Sequence, residues 1–213
     1  MTDRPAELSA AEWACLDQAW LALVRGNIPV GAVILNQTGA IIATGQNMVY
    51  CDAPAGIAGR QYLARSLLAH AEINALAALT PEYRYGGWHL VTSLEPCPLC
   101  MGAISQATVG RVSYLGADPF NGAVAQRITT RYTSRVSLTL SGPREDAAGR
   151  LAAGLHLAYF LRRNPAGACA TAHRELRPDL VAAAESMIAA GMFELAEHDR
   201  PWAEVSGRLL AAV

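Results

Sequence analysis

Two short patterns constrain what this chain can fold into more than anything else in it: His70-Ala71-Glu72 and, further on, Pro96-Cys97-Pro98-Leu99-Cys100. Together they supply an imidazole, two thiols and a carboxylate. A structural zinc is normally closed by four protein ligands, whereas a catalytic one keeps three and leaves the fourth position to water. His70, Cys97 and Cys100 therefore read as three ligands of a catalytic Zn2+, with Glu72 as the carboxylate beside the open position. That reading requires two distant segments to meet at one point. The apolar run 88–92 reads as a buried strand and 96–107 as the helix after it, which puts Cys97 and Cys100 three apart on one helix face. Pro96 and Pro98 would break a helix interior but cost nothing in a first turn, so they mark the helix start. The thiols then sit at a helix N-terminus, where the macrodipole and a metal both favour thiolate. Helix-forming composition over 68–79 places His70 and Glu72 in the opening turn of a second helix. Two thiolates and a neutral imidazole balance the charge of the ion, so water there is acidified less than beside three histidines. It needs a proton acceptor, and Glu72 fills that role. A lone Cys-x-x-Cys also serves as a redox pair or as half of a zinc ribbon, but the chain has no second Cys-x-x-Cys to close a ribbon. A buried His70 would equally suit a core histidine.

The remaining elements give an α/β order. Ser9 with Glu12 forms a capping box ahead of a helix striped by Trp13, Leu16, Trp20, Leu23 and Val24. Residues 30–35 and 40–44 read as a hairpin across the turn 36–39. After the two ligand helices come a strand over 111–115, a short strand near 136–140, and a helix striped by Leu151, Leu155, Tyr159 and Arg162. Trp88 and His89 read as strand core. This order predicts a three-layer α/β/α sandwich on a mixed five-stranded sheet. Residues 1–163 form one domain, and 164–213 add a linker over 164–172 and a helical extension. Two short helices are read there, striped by Leu180, Ala184, Met187 and Ile188 and by Trp202, Val205 and Leu209. Asp179 caps the first and Gly191 ends it. Such helices cannot bury their own stripes, so they must dock on the first domain or on a second subunit.

Composition narrows the class. The chain has 213 residues, 52% of them hydrophobic, and a net charge of −1, which suits one well-buried core. No apolar run approaches a membrane span and residues 1–9 lack the regions of a signal peptide, so a cytoplasmic protein with no membrane partner is expected. Reduced thiols suit that compartment, and Cys15, Cys51 and Cys169, which sit in no motif, read as unpaired buried thiols. All 17 basic residues are arginine. They gather into no basic face or tail, which argues against a nucleic-acid partner. Arg127, Arg131 and Arg135 form the one candidate stripe and read as a solvated helix face.

Several segments resemble the cytidine deaminase-like superfamily, on the branch that holds bacterial guanine deaminases and tRNA adenosine deaminases. The likeness is carried by Pro29-Val30-Gly31-Ala32-Val33, by His70-Ala71-Glu72-Ile73-Asn74-Ala75-Leu76, by the run from Thr92 through Cys97 and Cys100 to Ile104, and by Gly116-Ala117-Asp118 with Asn121-Gly122-Ala123. It extends over about 9–163. The resemblance implies hydrolytic conversion of an amino-bearing nucleobase or related small heterocycle to its carbonyl form, with ammonia released. Glu72 would carry the proton to a ring nitrogen and then to the departing amine. The Glu95–Cys100 run favours a free purine of the guanine type, and the 29–33 strand favours adenosine-to-inosine conversion in tRNA. A non-catalytic zinc fold acting as an interaction module is a third reading, against which the intact Glu72 argues.

The same resemblance implies a last strand parallel to its neighbour, and a homodimer with the extension over the interface or the pocket rim. It places Asn47 and Ala71 at the substrate, although Asn47 also reads as an ordinary turn residue. Asp118 either orients substrate or brackets a turn with Pro119. Glu95 and Pro96 support the ligands from behind, Glu95 by accepting from N–H groups at the start of the cysteine helix. Two features depart from the family pattern. One is an insertion over 48–67, read as a loop followed by a helix over 61–68, which acts as a lid or is a solvated loop. The other is a C-terminus without a basic cluster.

Overall fold

Short β-rich runs between alanine-rich helices fold here into a single mixed sheet. The computed structural model describes residues 8–52, 62–79, 87–126 and 128–213. The elements in order are α1 (Ala10–Val24), β1 (Gly31–Leu35), β2 (Ile41–Gln46), α2 (Ala71–Ala77), β3 (His89–Leu94), α3 (Pro98–Gln106), β4 (Arg111–Gly116), β5 (Thr139–Ser141) and α4 (Ala147–Arg163). They are followed by α5 (Ala168–Leu176), α6 (Pro178–Ala189), α7 (Met192–Glu197) and α8 (Trp202–Leu210). The strand order is β2-β1-β3-β4-β5. β1 runs antiparallel to both β2 and β3, whereas β3, β4 and β5 are mutually parallel, as the resemblance implied for the last strand.

Alternation along the strands sends side chains into two separate cores. Val33, Leu35, Val91 and Leu115 face α1 and α4, while Ala32, Ile34, Leu90 and Val112 face α2 and α3. The predicted three layers are therefore present. Ser9 and Glu12 form the expected reciprocal capping box on α1. The stripe read in α4 is only part of its buried surface, because every residue from Ala148 to Tyr159 except Arg150 is buried. α4 lies between the sheet on one side and the C-terminal helices on the other.

Several local expectations are corrected. The linker read over 164–172 shortens to 164–167, since α5 starts at Ala168, and four helices rather than two follow α4. Asp179 lies inside the first turn of α6 and not at its cap; Pro178 occupies the first helical position and Arg177 clamps the Asp179 carboxylate at 2.9–3.0 Å. The helix read over 61–68 is absent over 62–68. There Arg65 takes a positive φ of 49° and donates its N–H to Met48 and Cys51 carbonyls, which no helix turn permits. The arginine stripe likewise lies on no α-helix: a single 3-10 turn covers Thr133–Arg135, Arg131 and Arg135 are exposed, and Arg127 lies outside the described residues.

The extension docks on its own chain. Trp202 of α8 is buried against Trp13 and Trp20 of α1, with ring centroids 5.8 and 6.2 Å apart, and Trp20 Nε1 donates to the Arg200 carbonyl at 2.7 Å. Met187 of α6 packs on α4 at Gly154, where an added Cβ would stand 2.8 Å from its sulfur. No helix among the described residues is long and apolar enough to cross a membrane.

Candidate metal centre and pocket

Two helix starts converge outside the carboxyl ends of β2 and β3. His70 is the N-cap of α2 and Cys97 the N-cap of α3, both with the extended backbone of a cap, and Pro98 begins α3. A cap residue ordinarily spends its side chain on the free N–H groups of the first turn. Neither His70 nor Cys97 does so, and both side chains are left to face one another. His70 Nδ1 lies 3.5 Å from Cys97 Sγ and 3.5 Å from Cys100 Sγ, and the two sulfurs are 3.6 Å apart.

The shape of that triangle tests the metal directly. Zinc bonds of about 2.3 Å to sulfur and about 2.0–2.1 Å to nitrogen at tetrahedral angles need edges of about 3.8 Å between sulfurs and about 3.6 Å from sulfur to nitrogen. The observed edges fit a tetrahedral face to within a few tenths of an ångström. Among the described residues this is the one such group of His, Cys, Asp and Glu side chains. The three side chains are electrostatically coupled. Cys97 is pushed down to about 4, chiefly by its hydrogen bond to Cys100 and then by His70, while the Cys100 thiol rises well above its ordinary value beside the Cys97 sulfur. His70 is raised mainly by its hydrogen bond to Cys97. Binding a cation displaces the protons these groups share.

Glu72 is in the first turn of α2, 3% exposed. One carboxylate oxygen accepts from Thr92 Oγ1 at 3.2 Å and the other lies 3.3 Å from Cys100 Sγ. Burial raises its pKa above the usual carboxylate value. A carboxylate that takes up a proton more readily and stands against the ligand triangle suits proton transfer. Thr92, fully buried in β3, opens the run that carries the resemblance, but nothing in the sequence marks it as a partner of Glu72.

α2 is placed by close packing and by one amide. At Gly45 of β2 an added Cβ would stand 2.1 Å from the Ala71 carbonyl oxygen and 2.4 Å from Ala75 N, so only glycine lets the helix approach this far. Asn74 donates to the Gln46 and Leu63 carbonyls at 3.0 and 3.1 Å and accepts from Leu63 N at 2.8 Å. It ties α2 to the end of β2 and to the base of the insertion. Residues 53–61, the centre of the expected lid, lie outside the described residues, and no described residue between 48 and 69 lines the pocket.

The pocket over the triangle has a volume of about 200 Å³. Asn47, Ala71, Glu95 and Asp118 all line it. Asn47 is buried and its Oδ1 accepts from Val49 N at 3.2 Å. Asp118 Oδ1 accepts from Phe120 N and Asn121 N at 3.0 and 3.1 Å, the turn-bracketing arrangement. Glu95 braces this loop, not the start of α3: its carboxylate accepts from Asp118 N and Val124 N, both at 3.4 Å, and an added Cβ on Gly122 would strike it at 2.3 Å. Pro96 contributes its carbonyl to Ala123 N at 2.9 Å. The facing wall was not foreseen from the sequence. It consists of His156 and Phe160 on α4 and Cys169 on α5. His156 lies one residue off the stripe that identified α4, so periodicity gave no sign of it.

Comparison with known proteins follows the same residues. The family model for the cytidine and deoxycytidylate deaminase zinc-binding region matches residues 8–116. The chain is 32% identical over 154 residues to a tRNA(Ile)-lysidine synthase of Deinococcus deserti, covering 70% of this chain and 27% of that protein. It is 33% identical over 115 residues to a tRNA-specific adenosine deaminase of Haemophilus influenzae, covering 53% of this chain and 60% of that protein. It is 38% identical over 89 residues to a guanine deaminase of Bacillus subtilis, covering 40% and 49%. The chain thus spans less than two thirds of the length of these curated relatives. A family match over half the chain, on the segment that holds His70, Glu72, Cys97 and Cys100, places it among the proteins built on the cytidine and deoxycytidylate deaminase zinc-binding region.

Proposed function

We propose that this chain is a zinc-dependent hydrolytic deaminase, which replaces the amino group of a nucleobase-type heterocycle by a carbonyl oxygen and releases ammonia. The observation that supports it is the tetrahedral face formed by His70, Cys97 and Cys100 with the Glu72 carboxylate 3.3 Å from one of its corners. His70, Cys97 and Cys100 would hold the ion, which would supply a water acidified to react near neutral pH. Glu72 would take up a proton at its free carboxylate oxygen and deliver it to the ring nitrogen next to the amino-bearing carbon; it would then take the proton of the hydroxyl added to that carbon and pass it to the amine as the C–N bond breaks. Water and the amino compound thereby balance to the carbonyl compound and ammonia. Thr92 holds one Glu72 oxygen, so the other stays turned to the reacting centre. Ala71, between ligand and proton carrier, and Asn47 form the near wall against the base.

The substrate we favour is a free purine-type base or its nucleoside. A pocket of about 200 Å³ lies below the range of about 300–1,000 Å³ of drug-sized ligand sites and suits one heterocycle. A net charge of −1 leaves little with which to neutralise phosphates. The second reading, adenosine deamination in tRNA, draws on the names of the lysidine synthase and adenosine deaminase relatives. Ammonia release from guanine, adenine, cytosine and their nucleosides, each at low and high salt, decides between them. Turnover of a small substrate that barely responds to salt supports the first. Conversion only within an anticodon stem-loop, with affinity falling steeply as salt rises, overturns it in favour of the second. A homodimer belongs to this proposal, and light scattering of the purified chain tests it.

A further inference from the structure

The part of the pocket wall formed by α4 carries an imidazole whose two nitrogens the protein leaves unmatched: Nδ1 is buried, and Nε2, which is not among the buried atoms, is the one left to the pocket. His156, on α4, is 7% exposed, lines the pocket and makes no hydrogen bond among the described residues; its Nδ1 is fully buried without a partner. Behind it, on α5, His173 is completely buried. Its Nδ1 lies 2.8 Å from the Cys169 carbonyl oxygen, which can only accept, so Nδ1 donates to it, and the buried Nε2 has no partner. The two imidazole centroids are 6.4 Å apart, and Phe160 packs on the His156 ring at 5.0 Å. Each unmatched buried polar atom costs free energy that a hydrophobic residue of the same size would avoid. A fold stabilised for its own sake would have an aliphatic side chain here.

We propose that His156 is a specificity-determining residue, which hydrogen-bonds a polar ring atom on the edge of the substrate remote from the amino-bearing carbon. The ligand class this selects is the purine, whose five-membered ring presents nitrogens on that edge, over a single-ring pyrimidine. Burial holds the imidazole neutral, with its pKa down at about 4, so its Nε2 meets a ligand as a neutral donor or acceptor, according to tautomer, without placing a charge in the pocket. Phe160 and His173 flank the ring. The helices after 163 thereby build part of the recognition surface, in addition to covering the core. A pocket made to hydrogen-bond its ligand discriminates strongly against an analogue that leaves its groups unpaired.

The inference rests on the deaminase reading, and two independent readouts separate them. With zinc-loaded full-length protein, binding of guanine, adenine and cytosine is measured by calorimetry and ammonia release is measured for the same bases. His156→Leu is expected to keep zinc content and helical signal, to weaken binding of the preferred purine about tenfold, and to raise KM with little change in kcat. His156→Gln, which keeps a donor and an acceptor, should recover most of that loss. Cytosine binding should move less than twofold. Purine binding that depends on His156 without any ammonia release would sink the deaminase reading and leave this inference standing. Ammonia release with KM and base preference unchanged in both variants would overturn this inference and leave the deaminase standing. If His156→Leu fails to fold, an unchanged purine preference in His156→Gln overturns it equally, as does wild-type protein that binds no purine.

Discussion

Replacing Gly45 by alanine should damage the candidate site from a residue that never touches it. The added Cβ would stand 2.1 Å from the Ala71 carbonyl oxygen and 2.4 Å from Ala75 N. Ordinary carbon contacts begin near 3.5 Å, so the shortfall is about 1 Å. Both obstacles are backbone, and no side-chain rotation relieves them. Either β2 or α2 must move, and α2 opens with His70 and holds Glu72 in its first turn. Overpacking of this kind costs about 1–3 kcal/mol, and a displacement of about 1 Å at reacting groups costs about 100-fold in rate. Urea unfolding, zinc content and ammonia release on the best base should therefore show lower stability, a weakened metal site and turnover down about 100-fold. Gly207→Ala is the control: it lies exposed in α8 with nothing within 4 Å of the new Cβ, and should stabilise by about 0.5–1 kcal/mol. A Gly45→Ala protein with wild-type stability and turnover would refute the argument that close approach of α2 positions the site.

Other expectations follow from single contacts. Cys97→Ser should lose zinc, measured by atomic absorption, and full retention would remove Cys97 from the ligand set. Glu72→Gln should keep both zinc and fold while turnover falls by about 10²–10⁴; loss of zinc would make Glu72 a ligand instead. Trp202→Ala, which empties the space beside Trp13 and Trp20, should cost about 3–5 kcal/mol in denaturant unfolding, and a cost under 1 would mean that the extension barely supports α1. Asp146 caps α4 and is held below its ordinary 3.8 by the Arg144 guanidinium. Its folded value is depressed, so its contribution is complete above about pH 4 and fades as pH falls through the lower folded value. Asp146→Ala should cost about 1 kcal/mol at pH 7 and flatten this acid limb; an unaltered acid limb would count against the pair.

The ligand triangle was readable because its chemistry is local to two short motifs, and each motif lies where proline or composition marks a helix start. The sheet was readable because strands buried on both faces, such as β1, are continuous apolar runs. What escaped sequence reasoning depends on contacts between distant segments. Asn74 sits in the quoted metal-helix run, yet its link to Leu63 and Gln46 is set by the path of an insertion that no periodicity describes. Composition over 61–68 favours helix, and tertiary bonds from Arg65 to Met48 and Cys51 override it. Asn164 to Ala172 contains Pro165 and Gly167, the usual marks of a linker, and Gly167 instead serves as the N-cap of α5. His156 lies off its helix stripe because α4 is buried on more than one side, which a single stripe cannot reveal.

That burial of α4 puts the two sides of the pocket on opposite faces of one sheet. The metal side hangs from β2 and β3 through α2 and α3, whereas the opposing side rests on α4 and, through it, on α5 and α6. α4 also packs on the sheet, with Ala153 against Gly116 of β4, so a shift of α4 reaches His70, Cys97 and Cys100 only through the strands between them. On the proposed reading, substitutions confined to 156–187 should change selectivity among bases more than they change zinc content.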